Sequence, residues 1–333
     1  MKVKITQKYI YTAIKVIITT LAIGYLGYSL MHIQNLGSSF NLVYNSITND
    51  MKPLYYFISV VLLMPINWGL EALKWFNLSK KHYPISYFDC FKGVLSGVTL
   101  SYITPHGIGD YAARLYFLKG ESKEKAIGNV FLSRIAQFYV TFFYGLLGYI
   151  IFYNFYNIQT SVFNINLLFV LSILIVLALL GLINLGYLLP LLSRIPLSNK
   201  IIPYFELIAT VSLSDFCLLF FVSIFRFIIF SFQYILVLLM FEIQAFDILI
   251  VSGIWLIFLT KSILPGFNFL NDLGIREAAA IYFLGELDIP KAILIASSVT
   301  VWIVNIVVPM FFGLIVIAIS KINPSKSPDF FKR

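Results

Sequence analysis

Six predominantly apolar runs of about membrane-crossing length recur along this chain: Tyr9–Leu30, Tyr55–Leu70, Ala126–Tyr153, Leu167–Leu189, Phe216–Phe241 and Lys291–Ser320. A helix of about 20 such residues spans the hydrocarbon core of a bilayer. Only 12% of the 333 residues are charged, against about 25% in an ordinary soluble domain, so a water-soluble globule could not cover this much apolar surface. A soluble enzyme, a nucleic-acid-binding module and a disordered chain are excluded. The expected fold is an all-α integral membrane protein, residues 1–333 forming a single transmembrane domain.

The net charge of +9 then reports lysines held at one membrane face rather than affinity for nucleic acid. Cys90 and Cys217 lie inside apolar runs, and His32, His82 and His106 are scattered. Neither set has metal-ligand spacing, and the two cysteines give no disulfide framework. Tyr9–Leu30 is too long for a signal-peptide core and has no small-residue cleavage site after it, so it reads as a retained first span. Ile201–Leu213 carries Pro203 and Glu206 and reads as an interfacial helix.

Two further apolar segments are interrupted. Phe88–Leu118 is broken by Thr104-Pro105-His106-Gly107-Ile108-Gly109, and Ile248–Leu284 by Pro265-Gly266-Phe267-Asn268. Proline and glycine break the helical ladder where lipid offers no substitute partner. Each segment is expected to be a re-entrant hairpin that enters and leaves on one side.

Lysine bias agrees. With the N-terminus inside, six crossings and two hairpins, the inside ends collect Lys2, Lys4, Lys8, Lys74, Lys80, Lys81, Lys119, Lys123, Lys125, Arg194, Lys200, Lys321, Lys326, Lys332 and Arg333, most of the 24 basic residues. The outside loops hold Lys52 among the acids Asp50, Glu242, Asp247, Glu286 and Asp288. A multi-pass protein of the cytoplasmic (inner) membrane with both termini cytoplasmic follows from the bias.

The two interrupted segments resemble each other. Pro105 is followed by Asp110 and Arg114, and Pro265 by Asp272 and Arg276, each acid–arginine pair stacked at i, i+4. Each motif is followed by a Lys-Ala-Ile that opens a full span, at Lys125 and at Lys291. Repeat-like units at about 85–153 and 246–320 would then enter from opposite sides, as an inverted repeat with broken helices meeting near the midplane.

Charges at that depth cost about 2.5–3.5 kcal/mol or more, so they are functional candidates by default. They are Arg114, Arg134, Arg226, Lys261 and Arg276 against Asp110, Asp272 and Glu277. The positive surplus suits an anionic group, since guanidinium grips phosphate bidentately. His106 in the first break is a further candidate. The purely structural reading has Arg134 and Arg226 bonding carbonyls between helices, Arg114 and Arg276 neutralising their acids, Lys261 snorkelling and His106 serving the turn. Enzyme signals reduce to Glu286-Leu287-Asp288, an acid-x-acid string that also reads as a helix N-cap at Asp288 ahead of Pro290.

The motifs Thr104-Pro105-His106-Gly107-Ile108-Gly109-Asp110-Tyr111-Ala112-Ala113-Arg114 with Ser133-Arg134, then Leu264-Pro265-Gly266, Leu273-Gly274-Ile275-Arg276-Glu277-Ala278-Ala279, Pro309 and Gly313 resemble the lysylphosphatidylglycerol synthase transmembrane-region family of flippase-like proteins. The chain departs from the family pattern where Gly107 stands for an arginine, Asp110 for a glutamate, and Trp302 or Asn305 for a later arginine. The resemblance implies movement of a polar or anionic lipid, such as an aminoacylated phospholipid or glycolipid, between leaflets, with no cofactor. The chain is expected to lack the soluble synthase domain of some members. Membrane lipids are the expected partners. A membrane glycosyltransferase or lipid-modifying enzyme using Glu286 and Asp288, a non-catalytic partner subunit, a homo-oligomer and a partner membrane enzyme all remain open alternatives.

Overall fold

A computed structural model describes residues 36–120, 123–156, 202–264 and 274–320, with isolated positions at 20, 24 and between 172 and 187. All its regular elements are helices. The expected spans Tyr9–Leu30 and Leu167–Leu189 lie largely outside the described residues, as do the second break at Pro265-Gly266-Phe267-Asn268 and the C-terminal lysines.

The polar stretch before the second apolar run folds as helix α1 (Leu36–Asn49) and leads into α2 (Met51–Ser79). Asp50 caps α2 by accepting from the Lys52 amide at 3.3 Å. This helix is longer than the apolar run that announces it, at 29 residues. Polar residues at 71 and 74 therefore continue the helix instead of ending it. After Ser86, which caps its first turn, comes α3 (Tyr87–Ile103), then a 3-10 turn at Pro105–Gly107, α4 (Ile108–Phe117) and the long α5 (Ile127–Tyr156).

Beyond the next described break, α6 (Ile202–Ala209) is shorter than the expected Ile201–Leu213 helix and precedes α7 (Leu213–Met240). Ser212 and Asp215 close a reciprocal capping box at the start of α7. Then come α8 (Ile248–Ile263), capped by Asp247, and α9 (Ile275–Leu284). The last apolar run is α10 (Lys291–Trp302) and α11 (Val308–Ile319), joined through a π-helical segment at Ile303–Val307.

Among the described residues, four helical stretches are long and apolar enough to cross a membrane: Met51–Ser79, Ile127–Phe152, Leu213–Met240 and Lys291–Ile319. Each matches one of the expected spans. Their outward faces are apolar at helical spacing, with Ile58, Leu62 and Ile66 exposed on α2 and Phe221, Phe225, Ile228 and Phe232 on α7. A helix apolar on its inner and outer faces belongs in lipid. At about 1.5 Å per residue, the 10 residues of α4 and of α9 reach roughly 15 Å, half a bilayer core.

The first break is built by its sequence. His106 and Gly107 hold left-handed dihedrals in succession, at φ 55° and 66°. The Thr104 hydroxyl donates to the Leu100 carbonyl at 2.7 Å and accepts from the Gly109 amide at 2.8 Å, tying the end of α3 to the start of α4. The two helices approach so closely that a Cβ on Gly109 would sit 2.3 Å from the Leu100 carbonyl oxygen, and one on Gly97 would sit 2.0 Å from a carboxylate oxygen of Asp110.

Two sets of three helices pack in a matching pattern. Helix α3 lies against α4 and α11, while α8 lies against α9 and α5. Helix α1 packs on α10, α6 packs on α5, and α2 and α7 pack on each other.

Candidate functional site

The centre of the charged network is Glu71, a residue the sequence places at the end of a span. It is 4% exposed on α2. Its carboxylate accepts from both terminal nitrogens of Arg114 at 3.1 Å and from the Ser133 hydroxyl at 3.1 Å. It also pairs with Lys74 at 2.8 Å and with Arg226 at 3.3 Å. Three cations on α2, α4 and α7 thus converge on one acid.

Lys74 is a correction to the charge reading, which set it at the inner membrane face. It is 1% exposed, and its Nζ reaches the Ser133 carbonyl at 3.1 Å and the Gln137 side-chain oxygen at 3.4 Å. Lys123, assigned to the same face, is buried too. The burial of Glu71 and Lys74 has a local cause. Asn67, Glu71 and Lys74 fall at i, i+4 and i+7, on one face of a helix that does not stop. That spacing was visible in the sequence.

Asp110 is the second acid. It accepts from Arg114 Nε at 2.8 Å and from Arg134 at 3.0 and 2.7 Å. Asp110 thus joins α4 to α5, with both of its oxygens engaged. The i, i+4 pair read from sequence forms as expected, and all three guanidinium nitrogens of Arg114 are engaged: its Nε serves Asp110 and its two terminal nitrogens serve Glu71.

Arg226 differs. Its contacts are long, at 3.4 Å to the Asn67 carbonyl, 3.4 Å to Gln137 and 3.3 Å to Glu71. It lies between Trp68 and Phe230, with ring centres 5.0 and 5.1 Å away. Aromatic faces hold a guanidinium in place without consuming its N–H donors. Arg134, at 4.9 Å from the Tyr111 ring, is held partly the same way.

These side chains line a cavity of about 420 Å³. Its walls include Trp68 and Glu71 of α2, Ser101 and Tyr102 at the end of α3, Asp110 and Arg114 of α4, and Arg134 and Gln137 of α5. Arg226 of α7 and Lys261 and Ser262 at the end of α8 complete them. Residues at the end of α3, on α4 and at the end of α8 therefore face one space. Among the described residues of the network, Lys74, Arg114, Arg134 and Arg226 outnumber Glu71 and Asp110 by two, and Lys261 adds a further positive charge to the wall. Three of these cations, Lys74, Arg114 and Arg226, are buried, while the Arg134 side chain is 37% exposed and Lys261 half-buried. The buried cations still exceed the two acids, which is costly unless an anion completes the site.

Not every predicted residue gathers here. Arg276 is buried on α9 at 4% exposure but is not part of the cavity lining. Glu277 is not part of it either, and its carboxylate accepts from the Gly274 amide at 2.6 Å, closing the first turn of α9. His106 is exposed at the left-handed turn. Asp272 lies outside the described residues. Glu286 and Asp288 are exposed in the turn between α9 and α10. Asp288 takes a left-handed conformation, φ 58°, and Pro290 holds the N-cap position of α10 instead, so the expected Asp288 cap does not form. Among the described residues no group of three or more His, Cys, Asp or Glu could hold a metal ion.

An all-helical, multi-pass membrane protein with a charged cavity between its helices is the class that fold and site define. The chain belongs to the family of the lysylphosphatidylglycerol synthase TM region, whose sequence model matches residues 12–313. That match links the protein to lipid handling. No curated protein and no solved structure matches the chain.

Proposed function

We propose that this protein moves a lipid with an anionic headgroup between the leaflets of a cytoplasmic membrane, the headgroup passing through the cationic cavity. One observation carries the reading: Arg226 faces a cavity of about 420 Å³ with long, weak contacts and aromatic support, amid a surplus of buried positive charge. An arginine held this way keeps donors available for a phosphate. Arg134 and Lys261 complete the cationic wall, and Arg114 and Asp110 hold its shape. Arg276, Asp272, Glu277 and His106 belong to the same reading as groups met elsewhere on the path.

The units at about 85–153 and 246–320 are proposed to be an inverted repeat of two re-entrant hairpins, with both termini cytoplasmic. The reciprocal packing supports this, α3 on α11 answering α8 on α5. Glycine marks both contacts. A Cβ on Gly313 would meet the Leu95 carbonyl oxygen at 2.1 Å, and one on Gly145 would meet the Leu259 side chain at 2.5 Å. Rocking of one unit against the other would then open the cavity to alternate sides.

The test is binding. Dihexanoyl phosphatidylglycerol, soluble enough to titrate, should bind the detergent-purified chain saturably, and Arg226→Gln should weaken it at least tenfold, the loss of one charge-assisted hydrogen bond. Equal affinity for the variant, or for dihexanoyl phosphatidylcholine, would refute an anion-selective cavity.

A further inference from the structure

One buried charge has no part in holding the headgroup. Lys74 sits behind the cavity wall, not on it, yet it touches Glu71 at 2.8 Å. On its other side is a small gap of about 10 Å³, lined by Lys74, Asn77, Leu78, Asp215, Leu218, Leu219 and Val222. That is close to the room one water needs, and two of the walls carry the polar groups a water requires. Asp215 opens α7, where it pairs with Lys81, whose side chain is 47% exposed. A line of polar groups therefore runs from the surface at Lys81 and Asp215, across the gap to Lys74, then to Glu71 and the cavity.

We infer that Lys74 is a proton-binding site that couples protonation from the Asp215 end to anion occupancy of the cavity. The inference rests on the anion-binding reading above and extends it to an energy source. Of the three cations around Glu71, Arg114 and Arg226 keep their protons in any protein, whereas a lysine can release one. Arg114 faces the pair from α4, Arg226 from α7, and Ser133 and Gln137 from α5. Asp110 stands behind Arg114. Among the described residues, α3 adds the buried thiol of Cys90 and no buried charge, and neither α1 nor the π-helical segment adds one.

In the deprotonation step an Nζ–H bond breaks, and the proton passes to water in the gap and on to the aqueous phase beside Asp215. A neutral amine remains against Glu71, and the network loses one positive charge. An anion arriving at Arg226 favours the charged amine, so the proton returns. Binding and proton uptake are then linked, each strengthening the other by the same factor.

The experiment is calorimetric titration of dihexanoyl phosphatidylglycerol into the detergent-purified full chain, in paired buffers of different ionisation enthalpy. It runs from neutral pH to about pH 10, close to where an unperturbed lysine titrates. Somewhere in that range the wild type should take up part of a proton per ligand bound. Lys74→Arg, which keeps the charge but cannot titrate, should bind without uptake. Lys74→Met, which leaves Glu71 paired with Arg114 and Arg226, serves as a second variant and should likewise bind with no uptake. Binding with buffer-independent heat in the wild type, or equal uptake in either variant, overturns the proton site and leaves the anion reading standing. Absence of any saturable binding overturns both.

Discussion

Removing the Glu71 carboxylate should destabilise the protein more than any other single conservative change in the cavity wall. Glu71→Gln takes away the acid that Lys74, Arg114 and Arg226 share at 2.8, 3.1 and 3.3 Å. The side chain is 5% exposed, so solvent screens little of the loss. The described network goes from two surplus positive charges to three, at a point where all three cations are buried. Removing one partner of a buried pair costs about 3–5 kcal/mol. At roughly 2 °C per kcal/mol for a chain of this size, the thermal midpoint in detergent should fall by roughly 6–10 °C. Adding Lys74→Met should recover a substantial part, because it restores the charge balance and removes the cation nearest the lost acid. Unfolding followed by tryptophan fluorescence in one detergent reads both effects. A midpoint for Glu71→Gln within about 1 °C of the wild type, the shift expected below about 0.5 kcal/mol, would show that the three cations do not depend on this acid.

Other expectations follow from single contacts. Gly109→Ala should destabilise by about 1–3 kcal/mol or fail to fold, since its Cβ would lie 2.3 Å from a backbone oxygen of the packed helix; a thermal midpoint equal to that of the wild type would argue against the close α3–α4 pair. Thr104→Val should cost about 1–2 kcal/mol through the lost bridge between Leu100 and Gly109, while Thr104→Ser, which keeps the hydroxyl, should cost clearly less. In a background lacking Cys90 and Cys217, a cysteine replacing the exposed Lys119 should react with an impermeant thiol reagent from the cytoplasmic side alone. Reaction from the opposite side would break the hairpin topology.

The sequence carried the class and most of the spans because both rest on gross physics. Lipid demands long apolar runs, and four of those runs reappear as helices, three with little change in their ends and Tyr55–Leu70 extended to Met51–Ser79. The Asp110–Arg114 pair was legible because i, i+4 spacing fixes contact inside a helix. What escaped was the partner across helices. Glu71 looked like the first residue of a cytoplasmic loop, since an apolar run that meets Glu71, Lys74, Lys80 and Lys81 appears to end. Helix continuity through Ser79 overrode that appearance, and packing against α7 and α5 buried the pair. The polar stretch that became α1 was missed for a related reason, as it lacks the apolar density that marks a span. The distinction between Arg114, engaged by acids at all three of its nitrogens, and Arg226, held by aromatic faces, is tertiary and has no sequence signal.

The central claim is that this cavity carries anionic headgroups across the membrane. Its most direct test is the transfer rate of headgroup-labelled phosphatidylglycerol and phosphatidylcholine in one population of proteoliposomes, with wild type and Arg226→Gln compared at equal protein density. The account predicts that the wild type moves the anionic lipid at least tenfold faster than protein-free vesicles do, moves the zwitterionic lipid much more slowly, and loses most of the difference in Arg226→Gln. Rates for the anionic lipid equal to those of empty vesicles, or unchanged by the substitution, would contradict it.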